Sequence, residues 1–186
     1  MSTKKIVITG GPGTGKTSII NTLKNNNYHC FDEIIRTLTL EAKKESDKSN
    51  HISNPIAFVK DPMEFNLKLL NGRVEQFIEA NSITSQLCFF DRGIPDVLAY
   101  MKFFKQDYGN SFDKACLEYK YTQVFILPPW EAIYKSDNER FETFSEAVKI
   151  HEFLKLVYTS YGYNIYEVPF GSLENRTDFI LNNLSI

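Results

Sequence analysis

The residues with the most direct chemical meaning in this chain are Gly10-Gly11-Pro12-Gly13-Thr14-Gly15-Lys16-Thr17. They satisfy the spacing glycine, any four residues, glycine, lysine, then serine or threonine. A backbone that must wrap a phosphate with its N–H groups pointing inward needs unusual dihedral angles and close approach, and Gly10, Gly13 and Gly15 supply that freedom. Lys16 sets a point charge where the β and γ phosphates of a nucleoside triphosphate would lie, and Thr17 offers a hydroxyl to magnesium. The helix that opens through Thr17 and Ser18 adds the partial positive charge of its N-terminus. The run from Gly10 to Ser18 is therefore expected to hold ATP with Mg2+.

A second polar point follows the run Leu87-Cys88-Phe89-Phe90, where the chain switches abruptly to Asp91-Arg92-Gly93. At the carboxyl end of a strand beside the phosphate loop, Asp91 can serve magnesium directly or through water, and Arg92 can present its fork of donors to a phosphate or carboxylate. A structural pairing of Asp91 with Arg92 or with a helix N-terminus is the alternative. Glu33 and Arg36, three residues apart, fall on one face of a helical turn and could act as base and clamp, or form an ordinary surface ion pair. Arg140, in the charged stretch from Lys135 to Glu142, suits a closing lid over 131–146 that would neutralise charge on a transferred phosphoryl group. A charged helix surface would give the same pattern. Trp130 and Phe141 nearby read as core residues.

These groups need elements to hold them. Ile6–Thr9, Leu87–Asp91, Gln123–Leu127 and Asn164–Val168, with Tyr28–Phe31 as a weaker fifth, are short β-branched or aromatic runs and predict strands. Their apolar residues are consecutive, as in a parallel sheet covered on both faces. Helical spacing marks Thr17–Lys24, Met63–Ala80, Pro95–Phe104, Ser145–Tyr161 and Glu174–Leu184. This alternation predicts an α/β three-layer domain over 1–186, with a central parallel sheet of about five strands and its ligand crevice at the strands' carboxyl ends. The polar region 43–62 is either an insert beside the crevice or a solvated loop, and Asn25-Asn26-Asn27 predicts a cap and turn.

With 21 basic and 23 acidic residues, the 186-residue chain has a net charge of -2 and no global field for nucleic acid or anionic membrane. The apolar run Ile6–Thr9 near the N-terminus is too short for a signal core or a membrane span. Cys30, Cys88 and Cys116 lack close spacing and read as reduced core residues, which fits a cytoplasmic chain.

Three stretches together carry a resemblance: Ile6 through Thr17, Phe90-Asp91-Arg92-Gly93-Ile94-Pro95-Asp96, and Leu127-Pro128-Pro129-Trp130-Glu131. They resemble the P-loop ATPase/kinase family grouped with the nicotinamide riboside kinase domain of bacterial NAD regulators, and the likeness continues through Val168-Pro169-Phe170-Gly171-Ser172. The resemblance implies a nucleoside- and nucleotide-kinase-like fold, ATP and magnesium at the P-loop, and a small-molecule acceptor across the crevice. By the same resemblance Glu33, with Asp32 as its rival, takes the acceptor proton. Arg92 and Arg140 match phosphate-clamping and lid arginines, and Gly171 and Ser172 border adenine. No Asn-Lys-x-Asp stretch suits guanine. Two functions remain: an ATP-dependent kinase of a small metabolite, or a nucleotide-driven ATPase switch acting on a protein partner. The acceptor and the oligomeric state stay open.

Overall fold

The computed structural model describes residues 3–35, 61–134 and 142–184. Five strands, β1 (Lys4–Gly10), β2 (His29–Phe31), β3 (Leu87–Asp91), β4 (Gln123–Leu127) and β5 (Ile165–Glu167), form one parallel sheet in the order β2-β3-β1-β4-β5. Six helices lie wholly among the described residues: α1 (Lys16–Asn25), α2 (Pro62–Glu79), α3 (Ile94–Phe103), α4 (Asn110–Glu118), α5 (Phe144–Ser160) and α6 (Leu173–Asn182).

The pleat explains why consecutive apolar residues were needed. Val7 joins Phe90, Val124 and Ile126 in a core completed by Ile94 and Leu98 of α3 and Ile150 and Leu154 of α5. Their neighbours Ile6, Ile8, Phe89, Phe125 and Leu127 point the other way, onto Ile19 and Leu23 of α1 and Ile180 of α6. Successive side chains alternate between faces, and both faces are covered, so every position is apolar. Among the described residues, no helix is long and apolar enough to cross a membrane. The three cysteines are free; Cys88 and Cys116 are buried, while Cys30 is only partly so.

Helix ends follow local chemistry. Asp61 accepts from the N–H groups of Met63 and Glu64 and Pro62 opens α2, so the last residues of the polar region 43–62 belong to a helix start; residues 43–60 lie outside the described set. Thr143 and Glu146 cap α5 reciprocally, and the Ser172 hydroxyl caps α6 at Asn175 N. Asn27 takes φ 63° and Tyr28 N donates back to Leu23 O, the turn expected of the asparagine run.

One element was not expected. Helix α4 is nine residues long, starts at Gly109 without a side-chain cap and buries only Phe112, Ala115 and Cys116. It therefore carries no side-chain start signal and only about two and a half turns of period, and Cys116 is a helix residue.

β1 lies between β3 and β4, and the chain leaves it first toward the β3–β2 side and later toward β4–β5. The pairs Ile8↔Asp91 and Gly10↔Leu127 bring the carboxyl ends of all three central strands together. Such a change of direction opens a crevice there.

Candidate functional site

β1 runs into the crevice and ends at Gly10, and α1 begins at Lys16, leaving a tight loop of glycines in unusual conformations. Gly13 and Gly15 adopt φ 73° and 88°, left-handed values that an L side chain resists. A Cβ on Gly10 would stand 2.6 Å from Leu127 O, and one on Gly13 would stand 2.6 Å from the Tyr134 ring. The loop is thus closely packed and suited to glycine alone at these positions. Thr17 and Ser18 are exposed at the first turn of α1, with no acidic side chain in that turn.

The Lys16 side chain is buried and turns back over the loop, donating to Gly10 O at 2.8 Å and Gly11 O at 2.7 Å. Burial, helped by Arg92, pushes its ammonium down to about 7, against the opposing pull of Asp91, Glu33 and Asp96.

Asp91, the last residue of β3, is buried, and its Oδ1 has no hydrogen-bond partner. Burial and the charge of Glu33 raise its carboxyl above the ordinary value, with Lys16, Arg92 and Arg73 opposing. The next residue, Arg92, sits at φ 74°, a costly conformation for a side chain of this size. Its Nε meets Glu33 Oε2, and its Nη1 donates to Asp96 Oδ1 at 3.1 Å and Gly10 O at 3.2 Å.

Arg36, the partner considered from spacing, lies outside the described residues, and the Glu33 side chain is largely buried, 10% exposed. Its Oε1 accepts from Arg73 Nη2 at 2.8 Å, and Arg73 Nη1 reaches Gly93 O at 2.8 Å. Asp32 points outward to Lys24. Asp96 accepts from Thr9, Tyr158, Gly93 N and Arg92. Burial alone would raise the Asp96 carboxyl, but Arg92, Arg73 and the two hydroxyls outweigh it and hold it below the usual range.

On the other side of the loop, Trp130 belongs to neither core cluster, contrary to its reading as a core residue. It follows the Pro128-Pro129 break, where the chain leaves the sheet, and packs its ring at 5.1 Å and 35° on Phe170, itself 57% exposed. Gly171, at φ 154°, and the capping Ser172 come next. Arg176 of α6 lies over Trp130 and donates from Nη2 to Thr14 O at 2.7 Å, holding the loop from behind. The region 131–146 opens with a short 3-10 turn, Glu131–Ile133, and ends inside α5. Arg36, Arg140 and Phe141 lie outside the described residues.

A family model described as AAA domain matches residues 5–176, from β1 through the arginine that holds the loop. The chain belongs to that AAA-domain family. Solved structures with the same P-loop layout as this AAA-domain chain include NadR in complex with NR, at 17% identity and TM-score 0.71 over 99% of this chain and 51% of that one. Thymidylate kinase from Candida albicans aligns with TM-score 0.69 and 17% identity over 97% and 90%. Deoxyadenosine kinase from M. mycoides aligns with TM-score 0.66 and 18% identity over 96% and 97%. The fold is that of nucleotide kinases. A curated relative from Methylobacillus flagellatus, called a nucleotide-binding protein, is 25% identical over 89 residues, 48% of this chain and 31% of its own length.

The donor set of this AAA-domain chain suits a magnesium-bound triphosphate. Among the described residues, no group of three or more His, Cys, Asp or Glu side chains could cage a metal. Magnesium is commonly held instead by one carboxylate, a hydroxyl, waters and the substrate's phosphates. Asp91, with its unpartnered buried oxygen, and exposed Thr17 fit that role. Arg73 and Arg176 were missed as site residues. Each is a charge among the buried positions of its helix, Arg73 after Phe65, Asn66, Leu69 and Leu70, and Arg176 beside Thr177 and before Ile180. A charge in such a position was the available signal.

Proposed function

We propose that this chain is an ATP- and Mg2+-dependent phosphotransferase that moves the γ-phosphoryl group to a hydroxyl of a small metabolite. The observation that carries the proposal is the convergence at the end of β1 of buried Lys16, the unpartnered Oδ1 of Asp91 and the doubly clamped Glu33. Gly10 through Ser18 would wrap the phosphates, and Lys16 would exchange the loop carbonyls for phosphate oxygens. Thr17 and Asp91 would hold Mg2+, which supplies charge neutralisation when bound. Trp130, Phe170, Gly171 and Ser172 would border the base.

Transfer would break the acceptor's O–H bond and the bond between the γ phosphorus and the β–γ bridging oxygen, form the acceptor oxygen's bond to phosphorus and release ADP. Glu33 is the base that takes the proton. Arg73 and Arg92 orient it, each binding one carboxylate oxygen; Oε1 also accepts from Ile35 N at 3.5 Å, which leaves Oε2 as the oxygen that would face the acceptor hydroxyl. Arg92 also reaches Gly10 O, so the base is anchored to the phosphate loop itself. The lid role is assigned to Arg140 by family resemblance. The test is a metabolite screen with ATP and magnesium that follows ADP and phosphorylated product together. Acceptor-dependent ADP formation with a matching organic phosphate is expected. ADP formation without organic product, stimulated by a protein partner, would assign the chain to a nucleotide-driven switch.

A further inference from the structure

Arg92 is held between two carboxylates. Its Nε meets Glu33 Oε2 on one side, and its Nη1 donates to Asp96 Oδ1 at 3.1 Å on the other. The two acids differ in surroundings: Glu33 stands at the crevice with room to meet an acceptor, whereas Asp96 is 1% exposed in the first turn of α3. We propose, resting on the kinase reading, that Asp96 is a positioning residue for phosphoryl transfer, anchoring Arg92 so that Arg92 aims the Glu33 carboxylate at the acceptor.

An anchor must itself be fixed, and Asp96 is. Its Oδ1 accepts from the Thr9 hydroxyl of β1 at 2.6 Å as well as from Arg92, and its Oδ2 accepts from the Tyr158 hydroxyl of α5 at 2.5 Å and from Gly93 N at 2.9 Å. An ionised carboxylate can take four donors because it brings no hydrogen of its own; an asparagine would turn an NH2 group toward one of the two pairs. The bare backbone of Gly93 gives the Tyr158 hydroxyl its path, since a Cβ there would stand 2.6 Å from that oxygen. Asp96 thus ties β1, α3 and α5 together at one point.

Arg92 needs such a hold. Its φ of 74° is a costly conformation that persists only where the surroundings impose it. Its main-chain N donates to Ile8 O at 3.0 Å, and its anchor is tied to Thr9, so both ends of the residue are referenced to the strand that runs into the phosphate loop. The Tyr100 ring, 5.1 Å from the guanidinium carbon, packs against the same group. In-line transfer requires the base and the γ phosphate to keep a fixed relation, and this chain of contacts registers one against the other. Without the Asp96 charge, the guanidinium would follow Glu33 instead of directing it.

A double-mutant cycle separates positioning from mere support of the fold. The full chain is assayed with ATP and magnesium against a panel of nucleosides, nucleotides, sugars and other alcohols, with organic phosphate identified by mass, as wild type, Asp96→Asn, Arg92→Ala and the pair. Asp96→Asn is expected to lower kcat for transfer by about thirtyfold with the KM for ATP within about threefold. In the Arg92→Ala background the same change should cost less than about threefold, because the group it acts through is gone. If Asp96→Asn does not fold, Tyr158→Phe keeps the carboxylate, removes one of its donors and enters the same cycle, with a loss of about fivefold expected only where Arg92 is present. Equal losses in both backgrounds, or a lower Tm with kcat unchanged, would overturn this inference and leave the kinase reading intact. Absence of organic phosphate from the wild type across the whole panel would sink the kinase reading and the inference with it.

Discussion

Lys16 should make nucleotide binding depend on pH in a calculable way. With its ammonium pushed down to about 7 in the free protein, only about a tenth of the lysines carry a proton at pH 8. A bound triphosphate brings negative charge to the same spot and returns the group toward its ordinary range, so binding at pH 8 should take up about 0.9 proton per nucleotide. The sign follows: the protonated form binds, and affinity falls as pH rises through the free-state value. From pH 7 to pH 9 the dissociation constant should rise about fiftyfold, near 2.3 kcal/mol. Calorimetry in buffers of different ionisation enthalpy reads the proton count directly, and a non-hydrolysable triphosphate with magnesium keeps chemistry out of the signal. In Lys16→Met both the proton uptake and the pH slope should vanish. A wild-type affinity that stays flat from pH 7 to 9, without proton uptake, would refute the reasoning.

Other perturbations separate the remaining roles. Asp91→Asn removes a buried charge with an unpartnered oxygen, so thermal stability should hold or rise while the magnesium midpoint for nucleotide binding moves up about tenfold; a lower Tm with unchanged magnesium dependence would make Asp91 structural. Glu33→Gln should cut acceptor-dependent ADP formation by about a hundredfold or more with triphosphate affinity within a few fold, measured by coupled assay and calorimetry. Phe170→Ala should weaken nucleotide binding by about 1–3 kcal/mol through lost base stacking with little change in kcat, as a titration of initial rates against ATP would show.

What the sequence disclosed and what it withheld differ in range along the chain. The phosphate loop is local: Gly10 through Thr17 name their own conformations, and the strand before and helix after follow from nearest neighbours. The doubly covered sheet was legible because Ile6-Val7-Ile8 and Val124-Phe125-Ile126 leave no polar face for water. Glu33 was visible as an acid in the right place, but its true partners lie 40 and 59 residues away on α2 and after β3, and no spacing rule reaches that far. Trp130 went astray because a large aromatic after an apolar strand is usually buried, whereas the proline pair turns it out of the sheet to meet Phe170. Arg73 and Arg176 were hidden by their helices, where a charge reads as surface until the packing stripe is drawn through it.

The bond from Arg176 to Thr14 O spans 162 residues, and it joins α6 to the phosphate loop. During synthesis the ribosome delivers β1 and the glycine loop first, and the guanidinium that meets their backbone follows 162 residues after Thr14. A nascent chain that has not yet made α6 thus has the nucleotide sequence motif without its rear support. Nucleotide binding should therefore report on docking of α6, because the Arg176 side chain joins that helix to the phosphate loop. Nucleotide added during refolding should favour docking of α6, since a ligand that requires the finished loop stabilises whatever finishes it.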